Sequence, residues 1–167
     1  FYQPRGDKQL WYDALKMITE QKRTALEAIV AMSLAAPLVA LIGKNNCVAC
    51  AWSNESGAHK STAQAVGLAV WGNPRMTKES PMSSVKGIIH KLGQLKNLPI
   101  YWDEISDEEK MDQVRKMLGI TTEGRGATNL TQNRNFFETD EWQTLMLVGA
   151  NKSLVQNILR NTKDTDA

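Results

Sequence analysis

The sequence predicts an α/β fold in which a mostly parallel sheet is flanked by helices. Apolar runs typical of buried strands occur at Cys47 to Trp52, Leu98 to Trp102 and Trp142 to Val148. Segments in which apolar residues recur at helical spacing separate these runs. Strands buried on both faces give continuous apolar runs, and their alternation with helices indicates parallel pairing.

Two helices are predicted before the first strand. Gln9 to Gln21 carries apolar residues at helical spacing, and Thr24 to Ile42 is more apolar throughout. We expect Thr24 to cap the second helix and Gly43 to end it. Its apolar part is short for a membrane span and is interrupted by Pro37, which favours a core helix.

The later helices follow from caps and breakers. Ser83 or Ser84 can cap the helix that runs to about Leu95, and Ser106 with Glu109 forms a capping box for the helix that runs to Leu118. The predicted spans are Lys60 to Trp71, Ser84 to about Leu95, Ser106 to Leu118 and a final helix beginning at Ser153. The polar stretch Gly119 to Phe137 predicts a hairpin or an extended loop around residues 129–133.

Composition is that of a soluble globular protein of one domain. The chain has 167 residues, of which 42% are hydrophobic and 23% charged. Its formal charge of +2 is too small to indicate nucleic-acid binding by itself. No charged-then-apolar signal opens the chain, so the expected location is the cytoplasm. Cys47 and Cys50 form a single C-x-x-C pair, which favours small core residues over a zinc site.

A phosphate-binding loop is predicted between the first strand and the helix that follows it. Backbone N–H groups at a helix N-terminus attract anions, a lysine there reaches the outer phosphates, and the next hydroxyl ligates Mg²⁺. Two glycines of the usual pattern are replaced, but Asn and His tolerate a positive φ. A helix cap without a ligand would give a similar pattern. The candidate loop is Asn54-Glu55-Ser56-Gly57-Ala58-His59-Lys60-Ser61-Thr62.

Two acidic residues follow the second apolar run. Ligands of parallel sheets bind at the carboxyl ends of the strands, so Asp103 and Glu104 are expected near the loop. Asp103 can hold Mg²⁺, and Glu104 can orient an attacking water molecule. A strand that simply enters a turn would look the same, but the loop and the acids in this order together indicate a nucleotide site.

Several motifs resemble one known family. They are Ala35-Ala36-Pro37-Leu38, S-G-x-x-K-S-T at Ser56 to Thr62, V-W-G-N-P at Val70 to Pro74 and L-P-I-Y-W-D-E-I at Leu98 to Ile105. Gly124-Arg125-Gly126 and the run from Trp142 to Asn151 match as well. Together they resemble the P-loop domain of phage and plasmid helicases known as domain of unknown function number 927, over roughly residues 25–160. W-G-N-P is the most specific piece, because P-loop proteins in general lack it.

The resemblance implies a fold and a set of roles. The family is similar to AAA+ and superfamily-3 ATPases, which form rings on nucleic acid. Lys60 would contact the β- and γ-phosphates of ATP, and Ser61 would bind Mg²⁺. Asn151 falls where a polar sensor residue reads the γ-phosphate. Arg125 stands where the family has a basic residue, and either Arg125 or Arg134 is a candidate for the arginine that a neighbouring subunit supplies.

The resulting hypothesis is the ATPase module of a replicative helicase, with ATP and Mg²⁺ as cofactors. It would act on nucleic acid, single-stranded DNA above all, as a homo-oligomeric ring without a membrane, and Arg134 would contact the nucleic acid. Residues 1–43 are expected to pack on an ATPase core of residues 44–167, which continues in a longer protein. The alternatives are a non-catalytic nucleotide-binding scaffold, since Asn54 and His59 replace glycines, and another P-loop motor such as a packaging ATPase.

Overall fold

Helices surround a single sheet in the computed structural model. It describes residues 6–55, 57–80, 82–105, 108–126, 140–156 and 159, and for 103–105 and 108–113 it describes the backbone alone. In chain order the elements are α1 Lys8–Thr19, α2 Thr24–Leu41, β1 Cys47–Trp52, α3 Lys60–Ala69, α4 Pro74–Thr77, β2 Lys78–Glu79, α5 Val85–Leu95, β3 Ile100–Ile105, α6 Glu108–Glu123 and β4 Leu145–Ala150.

All four strands are parallel, in the order β1-β4-β3-β2. The last strand in the chain therefore lies in the middle of the sheet, and all six of its residues are buried. Parallel pairing sends the carboxyl ends of β1, β4 and β3 to the same edge of the sheet. The α/β fold with a parallel sheet flanked by helices, predicted from the sequence, is confirmed.

The two faces of the sheet support separate hydrophobic cores, because neighbouring residues of a strand point to opposite sides. Helices α5 and α6 cover one face, and helices α1, α2 and α3 cover the other. The first core includes Ile88, Leu92, Ile100, Trp102, Val114, Met117, Met146 and Val148. The second includes Ile18, Leu26, Ile29, Val30, Ala63, Leu68, Tyr101, Leu145 and Leu147.

Helices α2 and α3 are joined by polar contacts as well as apolar ones. The Ser33 hydroxyl, which is fully buried, donates to the carbonyl oxygen of Gly67 at 2.8 Å. The indole N–H of Trp71 donates to the Ser33 carbonyl at 3.2 Å. From the sheet, the Tyr101 hydroxyl donates to the Ile29 carbonyl at 2.9 Å, and burial raises the pKa of Tyr101. Buried polar groups with partners of this kind fix one arrangement of the helices.

Helix α2 is long and apolar enough to cross a membrane by length and composition. In this fold its residues Leu26, Ile29, Val30, Ala36 and Val39 are buried in the second core. These contacts agree with the core-helix interpretation of the sequence.

Most predicted helices and strands match the structure with differences at their ends, whereas the short α4 and β2 were not predicted. Ser84 caps α5, accepting from the Gly87 N–H at 3.1 Å. Thr24 was expected to cap α2, but the capping position is Arg23 and has no side-chain cap. Cys47, expected in the core, is exposed, whereas Cys50 is half-buried.

The expected end of α6 at Leu118 is wrong. The helix continues to Glu123 because Met117 and Thr121 keep it packed on the sheet, while Gly119 is exposed. It stops at Gly124, whose φ of 76° suits a glycine that ends a helix. The third strand was expected from Trp142, but β4 begins at Leu145.

Replacing Gly67 by alanine should destabilise the fold by about 1–2 kcal/mol, because overpacking outweighs the gain in helix propensity. A Cβ at Gly67 would lie 2.9 Å from the Ser33 Cβ and 3.1 Å from the Tyr101 hydroxyl. Gly119→Ala is the matched control. A Cβ at Gly119 meets nothing within 4 Å, so this change should stabilise the fold by up to about 1 kcal/mol. Urea unfolding measures both, and equal effects would contradict the close helix contact.

Candidate nucleotide-binding site

The loop between β1 and α3 turns sharply at two residues. Gly57 has a φ of 76°, and His59, directly before the helix, is left-handed with φ 61° and ψ 16°. The expectation that His tolerates a positive φ here is confirmed. Asn54 is described and has no positive φ, so the first glycine position does not use the tolerance expected of Asn. The second glycine position of the loop thus keeps a glycine-like backbone with an imidazole attached.

Hydrogen bonds within the loop hold its first half against the start of α3. The Glu55 N–H donates to the Ser53 hydroxyl at 3.1 Å. The Lys60 ammonium donates to the Ser53 carbonyl at 3.4 Å, which holds this charge across the loop. One helical turn later, Gln64 is fully buried and its amide has no partner among the described residues. An unsatisfied buried amide is rare and tends to mark a functional region.

A cavity of about 470 Å³ opens where the loop meets the carboxyl edge of the sheet. This volume is in the range of small-molecule sites. Three parts of the chain line it: the loop with the start of α3, the end of β4, and a single lysine of β2. The lining residues are Glu55, Gly57, Ala58, His59, Lys60, Ser61, Thr62, Lys78, Gly149, Ala150 and Asn151.

Asn151 therefore lies in the same cavity as Lys60 and Ser61, although some ninety residues of sequence separate them. The order β1-β4-β3-β2 explains this, because β4 lies directly beside the strand that precedes the loop. The roles of these residues remain predictions.

Lys78 was missed by the sequence analysis. It lies in β2, a strand of two residues that is too short to leave a periodic pattern. The only signal nearby is the breaker at Asn73 and Pro74, which caps and starts the short helix α4. Among the described residues that line the cavity, Lys60 and Lys78 are basic and Glu55 is acidic.

Asp103 and Glu104 lie within β3, which continues to Ile105 instead of ending at Trp102. Trp102 pairs with Val148 and Ile105 pairs with Ala150, so three steps along β3 match two along β4. An extra residue of this kind is a bulge, a feature common beside active sites. It coincides with the two acids, and Ala150, the partner of Ile105, lines the cavity.

Cys50 stands on β1, below the loop. Burial raises the pKa of its thiol, while a backbone hydrogen bond with Leu154 and the charge of Lys60 lower it, with burial the largest effect. Burial also raises the pKa of Cys47. A raised pKa keeps a thiol protonated and unreactive, so neither cysteine is activated for chemistry.

Arg125 is not brought to the cavity. It pairs with Glu141 in an antiparallel bridge, and Glu141 precedes the start of β4. The cavity is at the far end of β4, about 20 Å away for a strand of six residues. A catalytic role for Arg125 within its own chain therefore lacks structural support. Arg134 lies outside the described residues.

The predicted loop around residues 129–133 also lies outside the described residues, but its base is described. The Gly126 N–H donates to the Asp140 carbonyl at 2.7 Å, and the Trp142 N–H donates to the Gly124 carbonyl at 2.9 Å. His90 of α5 pairs with the Asp140 carboxylate at 3.4 Å. Residues 124–126 and 140–142, at the two ends of these described ranges, are thus adjacent.

Comparisons with known proteins give two matches. A family model described as "Domain of unknown function (DUF927)" matches residues 1–134. A solved structure titled "SCCmec type IV Cch - active helicase" is similar over 94% of this chain, with a TM-score of 0.71 and 19% sequence identity. This chain spans 29% of that one, and the likeness shows a shared fold. A search of curated proteins gave no match.

Replacing His59 by glycine should stabilise the fold by about 1 kcal/mol, because glycine adopts φ 61° without the strain of a Cβ. His59→Val should destabilise it, since a β-branched residue is strained there. Ala58→Gly is the control: Ala58 has no positive φ, so glycine only adds freedom to the unfolded chain and should cost about 0.5–1 kcal/mol. Chemical unfolding measures all three, and a destabilising His59→Gly would contradict the left-handed backbone.

Proposed function

Since the chain belongs to the family of domains of unknown function DUF927, we propose that it is the ATP-binding and ATP-hydrolysing module of a helicase-type motor. The family resemblance drawn from the sequence motifs is confirmed by the match over residues 1–134. In this proposal the module acts on nucleic acid as an oligomer.

One observation carries the proposal: the loop residues Lys60 and Ser61 share a cavity with Asn151 at the end of β4. The triphosphate of ATP would lie against the N-terminus of α3, where backbone N–H groups and Lys60 attract anions. Asn151 would contact the terminal phosphate from the opposite wall. The two cationic side chains of the cavity suit a polyphosphate better than a neutral ligand.

The metal of the proposal is Mg²⁺, and the residues present fit it. The Ser61 hydroxyl lines the cavity, and Asp103 stands on the strand beside β4. Both supply the oxygen ligands that Mg²⁺ prefers. When bound, Mg²⁺ would neutralise charge on the phosphates. Glu104 would orient the attacking water molecule, and Lys60 would stabilise the charge that develops in the transition state.

The proposal of an oligomer rests on Arg125. Its bridge to Glu141 lies away from the cavity of its own chain, so Arg125 would act at the cavity of a neighbouring subunit. Arg125 or Arg134 of an adjacent subunit would be the stabilising arginine. The loop between Gly126 and Asp140, with its amides, hydroxyls and Arg134, would contact the phosphate backbone of single-stranded DNA.

A second candidate function is a nucleotide-binding scaffold that does not hydrolyse ATP. His59 favours it, because an imidazole stands where an ordinary loop has only hydrogen. Its side chain lines the cavity and competes with phosphate for space. ATP binding without ATP hydrolysis would favour this scaffold function over the motor function.

Lys60→Ala should lower ATP affinity at least tenfold, because the charged contact to the phosphates is lost. The unliganded fold should keep its stability, since the Lys60 side chain is only half-buried. Lys86→Ala, at an exposed position on α5, removes the same charge away from the cavity and should leave affinity unchanged. Titration with a fluorescent ATP analogue measures all three proteins. Equal affinity in Lys60→Ala and the parent protein would contradict the loop assignment.

Glu104→Gln should keep ATP binding and lower the hydrolysis rate by about 10²-fold or more, the range typical for removal of a catalytic acid or base. The assay measures phosphate release by the gel-filtered oligomer, with and without single-stranded DNA. A parent protein that binds ATP but releases no phosphate under either condition would favour the scaffold function. Unchanged turnover in Glu104→Gln would exclude Glu104 as the residue that orients water.

A further inference from the structure

We propose that Lys78 is a second phosphate-binding lysine, which contacts the terminal phosphate and makes the cavity select nucleoside triphosphates over diphosphates. The inference rests on the proposed nucleotide site and assigns a residue that none of the sequence motifs contains. Its basis is where Lys78 stands and how its backbone is held.

Lys78 approaches the cavity from the side away from the loop. Its strand, β2, is at one edge of the sheet, and β1, which leads into the loop, is at the other. Lys78 nevertheless lines the same cavity as Lys60. The phosphates nearest α3 are within reach of the loop and Lys60. Lys78 and Asn151 form the opposite wall of the cavity and would contact the outermost phosphate.

Lys91 of α5 holds the chain on both sides of Lys78. Its ammonium donates to the carbonyl of Thr77 at 3.0 Å and forms an ion pair with the carboxylate of Glu79. The Ser83 hydroxyl donates to the other oxygen of that carboxylate at 2.8 Å. Thr77 is fully buried, and the side chain of Glu79 is 13% exposed. The backbone of Lys78 is thereby fixed before any ligand binds, which favours a binding residue.

The ion pair between Lys91 and Glu79 engages the carboxylate that follows Lys78 in the chain. Side chains alternate along a strand, so Glu79 points away from the face that Lys78 uses. The Glu79 carboxylate is paired with Lys91, and Lys78 itself lines the cavity. A triphosphate carries about one more negative charge than a diphosphate, and a contact with that charge strengthens binding about ten- to hundredfold.

The test compares Lys78→Ala, Lys78→Arg and the control Lys86→Ala, titrated with a non-hydrolysable ATP analogue and with ADP. Lys78→Ala should weaken binding of the ATP analogue at least tenfold and binding of ADP less than about threefold. Lys78→Arg should recover most of the difference, because it keeps the charge. Lys86→Ala should match the parent protein. The melting temperature without ligand shows whether Lys78→Ala retains the fold.

Two results would overturn the inference while the nucleotide site stands. One is an equal loss of affinity for the ATP analogue and for ADP in Lys78→Ala. It would mean that Lys78 attracts any nucleotide by its charge or supports the structure of the loop. The other is unchanged affinity for both. In either case the parent protein still binds ATP, and Lys60→Ala binds it at least tenfold more weakly. A parent protein that binds neither nucleotide would overturn both the proposed function and the inference.

Discussion

The contact between Ser33 of α2 and Gly67 of α3 is the constraint on which the site depends. With no side chain at Gly67, the two helices approach until the Ser33 hydroxyl reaches the Gly67 carbonyl. Tyr101 extends the contact to the sheet through the Ile29 carbonyl. Helix α3 is thereby fixed against both α2 and β3, and its first residues form one wall of the cavity. The N-terminal helices thus contribute to the geometry of a site that contains none of their residues.

The sequence predicted those parts of the fold that rest on long patterns. Three strands and the main helices were found because apolar runs and caps extend over many residues. Strand β2 was not found, because its two residues form a strand only by pairing with Tyr101 and Trp102. The end of α6 was missed because Gly119 and Gly124 look alike in sequence. Only packing on the sheet decides which of them ends the helix.

For the site, the sequence predicted the members of the loop and the position of Asn151, but not the far wall. Residues close in sequence, such as His59 and Lys60, share a site by connectivity. Lys78 shares it only through the strand order, which no local pattern encodes. Arg125 is far from the cavity because of the same strand arrangement. Its partner Glu141 precedes β4, and the cavity lies at the end of β4.

Strand β4 links two regions to which functions are proposed. Just before the strand, the Trp142 N–H donates to the Gly124 carbonyl and the Thr144 N–H donates to the Asn46 side chain. At its end, Asn151 faces the cavity. Strand β4 is hydrogen-bonded to β1 on one side and to β3 on the other, so its length is fixed by its neighbours. We therefore expect a ligand held by Asn151 to oppose any displacement of Trp142 along the strand direction, although Trp142 lies at the opposite end of β4 from the cavity.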